Sequence, residues 1–185
     1  MDKSREQATQ QKEGKIEGLL TEKGVKIANA QVAEELKAKG YGISENGELR
    51  IDFYEALYLL DKGLLEVKDE KGGSVTFNEL LQVSEKADES SWAKYLVYRD
   101  LRSRGYVVRG GFGLGVDFRV YERGEYGKDT AKYLILSLQE GKPLKLENLA
   151  QTLKQSQNLK KELVLAVMSR RGEIVYYSVS QLTMK

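Results

Sequence analysis

The chain has 185 residues, which is enough for one medium domain or two small ones. It contains no cysteine and no histidine, which excludes disulfides, zinc fingers, thiol catalysis, histidine-ligated metals and Ser-His-Asp hydrolases. No apolar run approaches the roughly 20 residues that span a bilayer, and the polar start of the chain lacks the apolar core of a secretory signal, so a cytoplasmic location is expected.

The two halves of the chain differ in charge, although the net charge is only +2. Residues 1–90 carry 13 basic and 19 acidic side chains, a net charge of −6, whereas residues 91–185 carry 17 and 9, a net charge of +8. This asymmetry indicates two modules, the second of which faces a polyanion such as nucleic acid.

The first module is predicted to be a small α+β domain over residues 16–88, after a disordered lead-in over 1–15. Apolar residues at helical spacing, each run followed by glycine, predict helices over 27–39 and 51–62, and a third helix is predicted over 78–86. A turn is predicted at 44–47. Short strands are predicted over 64–67 and 75–77.

The second module, residues 91–185, is predicted to be an α/β nuclease-like domain with a central mixed sheet. Residues 92–103 follow the helical period and end before Gly105, and 145–158 are also helical in pattern. Apolar, β-branched and aromatic runs bounded by glycine predict five strands, over 106–108, 116–121, 131–138, 163–167 and 173–179. The last two are joined by a predicted hairpin turn at 169–172.

Two motifs in this module suggest activities that their context does not favour. The glycine-rich segment 110–115 is similar to a dinucleotide-binding loop, but such a loop opens a helix, and this one precedes a predicted strand. Asp117, Glu122 and Lys132 have the residue types of a metal-dependent nuclease, but Asp117 and Glu122 have opposite strand parity and would not converge on one ion. No metal and no cofactor are therefore expected.

Several segments in the same order resemble the tRNA-splicing endonuclease (tRNA-intron lyase) family. In the second module, 95–121 ends in Gly-Val-Asp-Phe-Arg-Val-Tyr, which is similar to the family's Gly-x-Asp-Phe-x-x-Tyr signature. The segments 160–167 and 172–177 resemble a second family block, and 53–67 resembles the N-terminal domain.

The resemblance implies a metal-independent chemistry and places its three catalytic positions. In the family, a tyrosine deprotonates a ribose 2′-OH, a histidine protonates the leaving oxygen and a lysine stabilises the negative charge of the phosphorane. The tyrosine matches Tyr121 and the lysine matches Lys161. The histidine lies three residues before an aromatic that opens a strand, which is Tyr133 here, so Thr130 stands in its place.

A threonine hydroxyl cannot act as a general acid near neutral pH, so the resemblance implies a structural subunit whose catalytic partner carries the histidine, in a heterotetramer acting on precursor tRNA. Subunits of the family pair through the last strand and through the preceding loop, and the matching residues are Arg170, Arg171, Glu173, Ile174, Tyr176 and Ser178. The family's loop is acidic, whereas this one carries two arginines. The candidates for contact with the tRNA backbone are Arg99, Arg102, Arg104, Arg109 and Lys160.

Other functions stay open at this point. The chain could itself be catalytic, with a substitute acid such as Asp129, although that carboxyl is ordinarily ionised at neutral pH. It could also be a non-catalytic RNA-binding module or a metal-dependent nuclease.

Overall fold

The computed structural model describes residues 15–182, which form two units, each built on a mixed β-sheet with helices packed against it. The predicted α+β and α/β class is confirmed, with five helices in the described part of the chain. Of the predicted disordered lead-in, all but Lys15 lies outside the described residues. Between residues 15 and 182, no helix is both long enough and apolar enough to cross a membrane.

The first unit contains a six-stranded sheet in the order β3-β4-β2-β1-β5-β6, in which β1 and β5 are parallel. Its strands are β1 Ile16–Thr21, β2 Gly24–Ile27, β3 Ile43–Glu45, β4 Glu48–Ile51, β5 Leu65–Lys68 and β6 Ser74–Val75. Its helices are α1 Ala30–Ala38, α2 Phe53–Asp61 and α3 Phe77–Ala87. Buried aliphatic side chains of the sheet and of α1 and α2 form its core.

Sequence patterns predicted the helices of this unit better than its strands. The prediction that α1 begins at Ile27 is wrong, because Ile27 ends β2 and Asn29 caps the helix by accepting hydrogen bonds from Gln31 and Val32. The predicted strand over 75–77 is too long, because Thr76 and Glu79 form a capping box that starts α3. Strands β1 to β4 were not predicted.

The second unit has a five-stranded sheet in the order β11-β10-β9-β8-β7. Its elements are α4 Ser91–Ser103, β7 Val107–Gly110, β8 Phe118–Tyr121, β9 Tyr133–Gln139, α5 Leu146–Asn158, β10 Glu162–Met168 and β11 Ile174–Val179. Strands β9 and β10 are parallel and are connected through α5, and the other pairs are antiparallel. The predicted order of helices and strands is confirmed, with ends that differ by one or two residues.

One face of this sheet packs against α4 through a buried cluster that includes Val108, Val120, Ile135 and Ala166. Because side chains alternate along a strand, neighbouring residues such as Tyr121 point to the opposite face. The glycine-rich segment 110–115 leads into β8 and opens no helix, so the predicted strand after it is confirmed.

Polar contacts and aromatic rings join the two units. The Arg102 guanidinium donates to the Lys39 and Gly40 carbonyls at 3.1 Å each. Arg109 donates to the Gly42 carbonyl at 2.6 Å. The rings of Tyr54 in α2 and Phe118 in β8 pack edge to face at 5.0 Å. These contacts fix the first unit against α4 and the edge strand β7.

Candidate functional site

Three strand ends bring the predicted catalytic positions to one edge of the second sheet. Tyr121 ends β8, Thr130 lies shortly before β9, and Lys161 immediately precedes β10. Because β9 and β10 are parallel and β8 is antiparallel to β9, these ends lie side by side. Two backbone hydrogen bonds hold these strand ends together. The Lys132 amide donates to the Val120 carbonyl at 2.9 Å, and the Glu162 amide donates to the Lys132 carbonyl at 3.0 Å.

Lys161 and Thr130 are in direct contact, because the lysine Nζ donates to the threonine Oγ1 at 2.5 Å. The Asp129 carboxylate is engaged within its own loop, where its Oδ1 accepts a hydrogen bond from the Thr130 amide at 2.6 Å. The Tyr121 ring packs edge to face against Tyr126 at 5.0 Å. Thr130 therefore occupies a site that also contains a lysine, at the same sheet edge as the tyrosine.

The backbone at Lys160 orients the lysine pair at this edge. Helix α5 ends in a Schellman motif, in which the Lys160 amide donates to Gln157 at 2.9 Å and the Lys161 amide donates to Ser156 at 2.9 Å. Lys160 takes the left-handed position of that motif with φ of 55°, where glycine is usual. A strained residue at this point turns the chain so that Lys161 reaches Thr130.

This strain predicts that Lys160→Gly makes the protein more stable, by about 0.5–1 kcal/mol, because glycine adopts a positive φ without steric cost. The matched control is Lys154→Gly in the interior of α5, which should destabilise by about 1 kcal/mol. Urea unfolding of both variants measures the difference, and equal destabilisation by the two glycines would contradict the assignment of strain to residue 160.

Glu122 and Lys132 form an exposed ion pair beside the site, at 2.7 Å. The hydrogen bond from Lys132 lowers the pKa of Glu122, and the same bond raises the pKa of Lys132. Asp117 is bound elsewhere, by Lys94 at 2.9 Å and by the Ser137 amide at 2.7 Å. In the described part of the chain, no group of three or more acidic residues is arranged to hold a metal ion.

The five predicted RNA-contact residues lie in different environments. Arg102 and Arg109 hold the junction between the two units, with backbone carbonyls of the first unit as their acceptors. Arg104 is exposed and paired with Asp100 at 2.8 Å. Arg99 and Lys160 are also exposed. The structure thus leaves Arg99, Arg104 and Lys160 on the surface and gives the other two a structural role.

The predicted subunit-contact residues lie at and after the β10–β11 turn. Arg170, Arg171 and Glu173 are exposed at its tip, where the Ser169 hydroxyl accepts the amides of residues 171 and 173 at 3.2 Å each. Ile174 and Tyr176 face α4, and the Tyr176 hydroxyl donates to Asp100 at 2.7 Å.

Two apolar residues of β11 that the sequence analysis did not select lie on the other face of this strand. Val175 is 48% exposed and Tyr177 is 53% exposed. Strict alternation from Ile174 and Tyr176 could have indicated them.

Comparison with known proteins decides the family. The family model for the tRNA intron endonuclease catalytic C-terminal domain matches residues 91–176. The model for the tRNA intron endonuclease N-terminal domain matches residues 16–81. A tRNA-splicing endonuclease of Methanococcus vannielii is 33% identical over 167 residues, which is 90% of this chain and 94% of that protein. The chain belongs to the tRNA-splicing endonuclease family.

Other members of the tRNA-splicing endonuclease family are similar to the chain at the same level. One from Pyrococcus furiosus is 34% identical over 141 residues, covering 76% of this chain and 81% of that protein. One from Methanococcoides burtonii is 36% identical over 146 residues, covering 78% of this chain but only 40% of that longer protein. The resemblance seen in the sequence motifs is confirmed.

Proposed function

We propose that this chain is the structural, histidine-lacking subunit of a heteromeric tRNA-splicing endonuclease that excises introns from precursor tRNA. The observation that carries the proposal is the contact between Thr130 and Lys161 in a chain without any histidine, at the position that the family motif assigns to the general acid. Family membership supports the role in cleavage of tRNA introns.

The chemistry explains why this position matters. The 2′-OH attack leaves a 2′,3′-cyclic phosphate and a 5′-OH, and the 5′ oxygen must receive a proton as its bond to phosphorus breaks. An imidazolium supplies that proton near neutral pH, whereas an alcohol does not. Loss of one general acid lowers a rate by about 10²–10⁴-fold. Tyr121 and Lys161 would then bind and orient RNA without completing the reaction.

The exposed edge of the second sheet supports a role in assembly. Within residues 15–182, no strand pairs with the outer edge of β11, and such an edge can add a strand from a neighbour. Val175 and Tyr177 add exposed apolar surface to it. Arg170 and Arg171 at the adjacent turn would require an acidic surface on the partner. A second copy of this chain would present the same two arginines, so a different, histidine-bearing subunit in a heterotetramer fits better.

A second candidate, catalysis by this chain with Asp129 as the acid, has less support. The Asp129 carboxylate accepts a hydrogen bond from the Thr130 amide within the loop. That hydrogen bond holds the loop and directs one carboxylate oxygen of Asp129 toward the backbone.

Cleavage of an intron-containing precursor tRNA in the presence of EDTA tests the proposal. The chain alone should leave the precursor intact, and a mixture with a histidine-bearing homologue should release the intron with cyclic phosphate ends. The homologue should form a stable complex with this chain in size-exclusion chromatography. Cleavage by the isolated chain would overturn the structural-subunit assignment.

A further inference from the structure

A cavity of about 240 Å³ lies on the α4 face of the second sheet, on the opposite face from Tyr121. Aliphatic side chains line much of it, namely Leu101, Val120, Ile135 and Val164. Three half-buried tyrosines, Tyr106, Tyr133 and Tyr176, together with Arg104, complete the lining. The cavity is therefore apolar inside and aromatic around its sides.

Each of these three tyrosines has a cation over its ring. Arg123 lies 5.5 Å from the centre of Tyr106, Lys132 lies 5.2 Å from Tyr133, and Arg104 lies 5.9 Å from Tyr176. These are cation–π distances. The three cations come from three different segments of the chain, and each lies beside one of the cavity's tyrosines.

Two acidic groups at this rim are already paired. Asp100 accepts from Arg104 and from the Tyr176 hydroxyl, and Glu122 accepts from Lys132 and from the Tyr133 hydroxyl at 3.3 Å. Glu162 is exposed opposite Tyr133 on the same face of the sheet, so three cations lie near three acids. Arg123 is the cation whose charge no acidic side chain within residues 15–182 neutralises.

We propose that this cavity binds a single unpaired nucleotide of the RNA, with the base among the tyrosine rings and its phosphate on Arg123 and Arg104. Unpaired bases are recognised by stacking on aromatic side chains and arginine planes, and phosphates by arginine and lysine. The volume is below the roughly 300–1,000 Å³ of pockets for whole drug-sized ligands, which favours one planar base over a larger cofactor.

This inference rests on the proposed function only for the identity of the RNA as a tRNA precursor. The site itself is separate from the Tyr121, Thr130 and Lys161 cluster, because Val120 and Tyr121 point to opposite faces of β8. The site would hold a nucleotide away from the cleaved bond.

Fluorine NMR of the full chain labelled with 3-fluorotyrosine tests the site directly. Adenosine 5′-monophosphate should shift the signals of Tyr106, Tyr133 and Tyr176, which Tyr→Phe variants assign. Ribose 5-phosphate should shift them far less, because it has the phosphate and no base. Phenol serves as a mimic of a protein side chain, and a response to phenol equal to that of the nucleotide would overturn the proposal in favour of a partner's aromatic residue.

Fluorescence anisotropy with single-stranded and duplex RNA of one sequence gives the second readout. Tyr106→Leu, which keeps an apolar side chain, should weaken single-strand binding by about fivefold or more and leave duplex binding nearly unchanged. Phe112→Leu, at an exposed aromatic of the glycine-rich loop, is the matched control and should have little effect. Arg123→Gln should weaken binding as well and provides a test if Tyr106→Leu fails to fold.

Equal binding of single strands by Tyr106→Leu and the unaltered chain, with no nucleotide-dependent shifts, would overturn the nucleotide site. That result would leave the structural-subunit role intact, since cleavage by the mixture with a histidine-bearing homologue tests that role independently.

Discussion

Replacing Thr130 with histidine is expected, under the proposed structural-subunit role, to raise precursor tRNA cleavage at this chain's own site by about 10²–10⁴-fold. The imidazole would enter a site where Lys161 is already in contact with residue 130 and where Tyr121 ends the neighbouring strand. The measurement is metal-independent cleavage of precursor tRNA by the variant mixed with a partner whose own histidine has been replaced by alanine.

Control variants distinguish an effect of the added general acid from an effect of the substitution on folding. Thr130→Gln adds a polar side chain of comparable length without a titratable proton and should stay inactive. The double variant Thr130→His and Lys161→Ala should lose most of the gain, because the negative charge of the phosphorane oxygens is no longer stabilised. A Thr130→His chain that folds, assembles and still cleaves no faster would show that Tyr121 or Lys161 is not positioned for catalysis.

The buried carboxyl of Glu55 makes the stability of the chain depend on pH near neutrality. Glu55 is 2% exposed and accepts the Gly42 amide at 3.1 Å and the Asp52 amide at 2.9 Å. The guanidinium of Arg109 lies 4.0 Å away. Burial is the largest cause of its shift and, with the neighbouring Asp52, raises the pKa of Glu55 to about 7.

The folded chain therefore binds a proton at Glu55 that the unfolded chain has released above about pH 4.5. Its contribution to stability is fully present below about pH 4.5, decreases as the pH rises, and is lost above about pH 7, for a total of about 3 kcal/mol. Urea unfolding at pH 5, 6, 7 and 8 should show this decrease, and Glu55→Gln should remove most of it.

The matched control is Glu35→Gln, at an exposed glutamate of α1, which should keep the pH dependence of the unaltered chain. Carboxyls whose pKa is lowered, such as Asp88 with Lys94, titrate below this window and change stability in the opposite direction. A Glu55→Gln chain with an unchanged slope between pH 5 and 7 would refute the assignment to Glu55.

The second unit could be predicted well from the sequence because its periodic patterns are local. The 92–103 helix and the strands around 118–121 and 163–167 have clear periods and glycine boundaries. The catalytic positions came from the family motif, and the structure adds that strand ends bring Thr130 and Lys161 into contact. Strand parity explains the side on which Tyr121 lies.

Other features depend on contacts between distant residues. Arg102 and Arg109 have the charge of RNA-binding residues, but their acceptors are carbonyls more than 60 positions away in the chain. Strands β1 and β2 were missed because Gly18 and Gly24 are buried close to other atoms and interrupt the apolar alternation. The cavity lined by Tyr106, Tyr133 and Tyr176 forms only when β7, β9 and β11 join one sheet.

The direction of α5 has a consequence for how an anion can be held beside Thr130. The carboxyl end of this helix, which carries partial negative charge, points to that edge, and the amides of Lys160 and Lys161 are already bonded to its carbonyls. Among the helices of residues 15–182, none begins at this edge to supply backbone amides to a phosphate, unlike the phosphate loops of nucleotide-binding folds. Lysine ammonium groups, Lys160 and Lys161 among them, are therefore the positive charges at this edge, so acetylation of these two lysines would weaken anion binding there without altering the backbone.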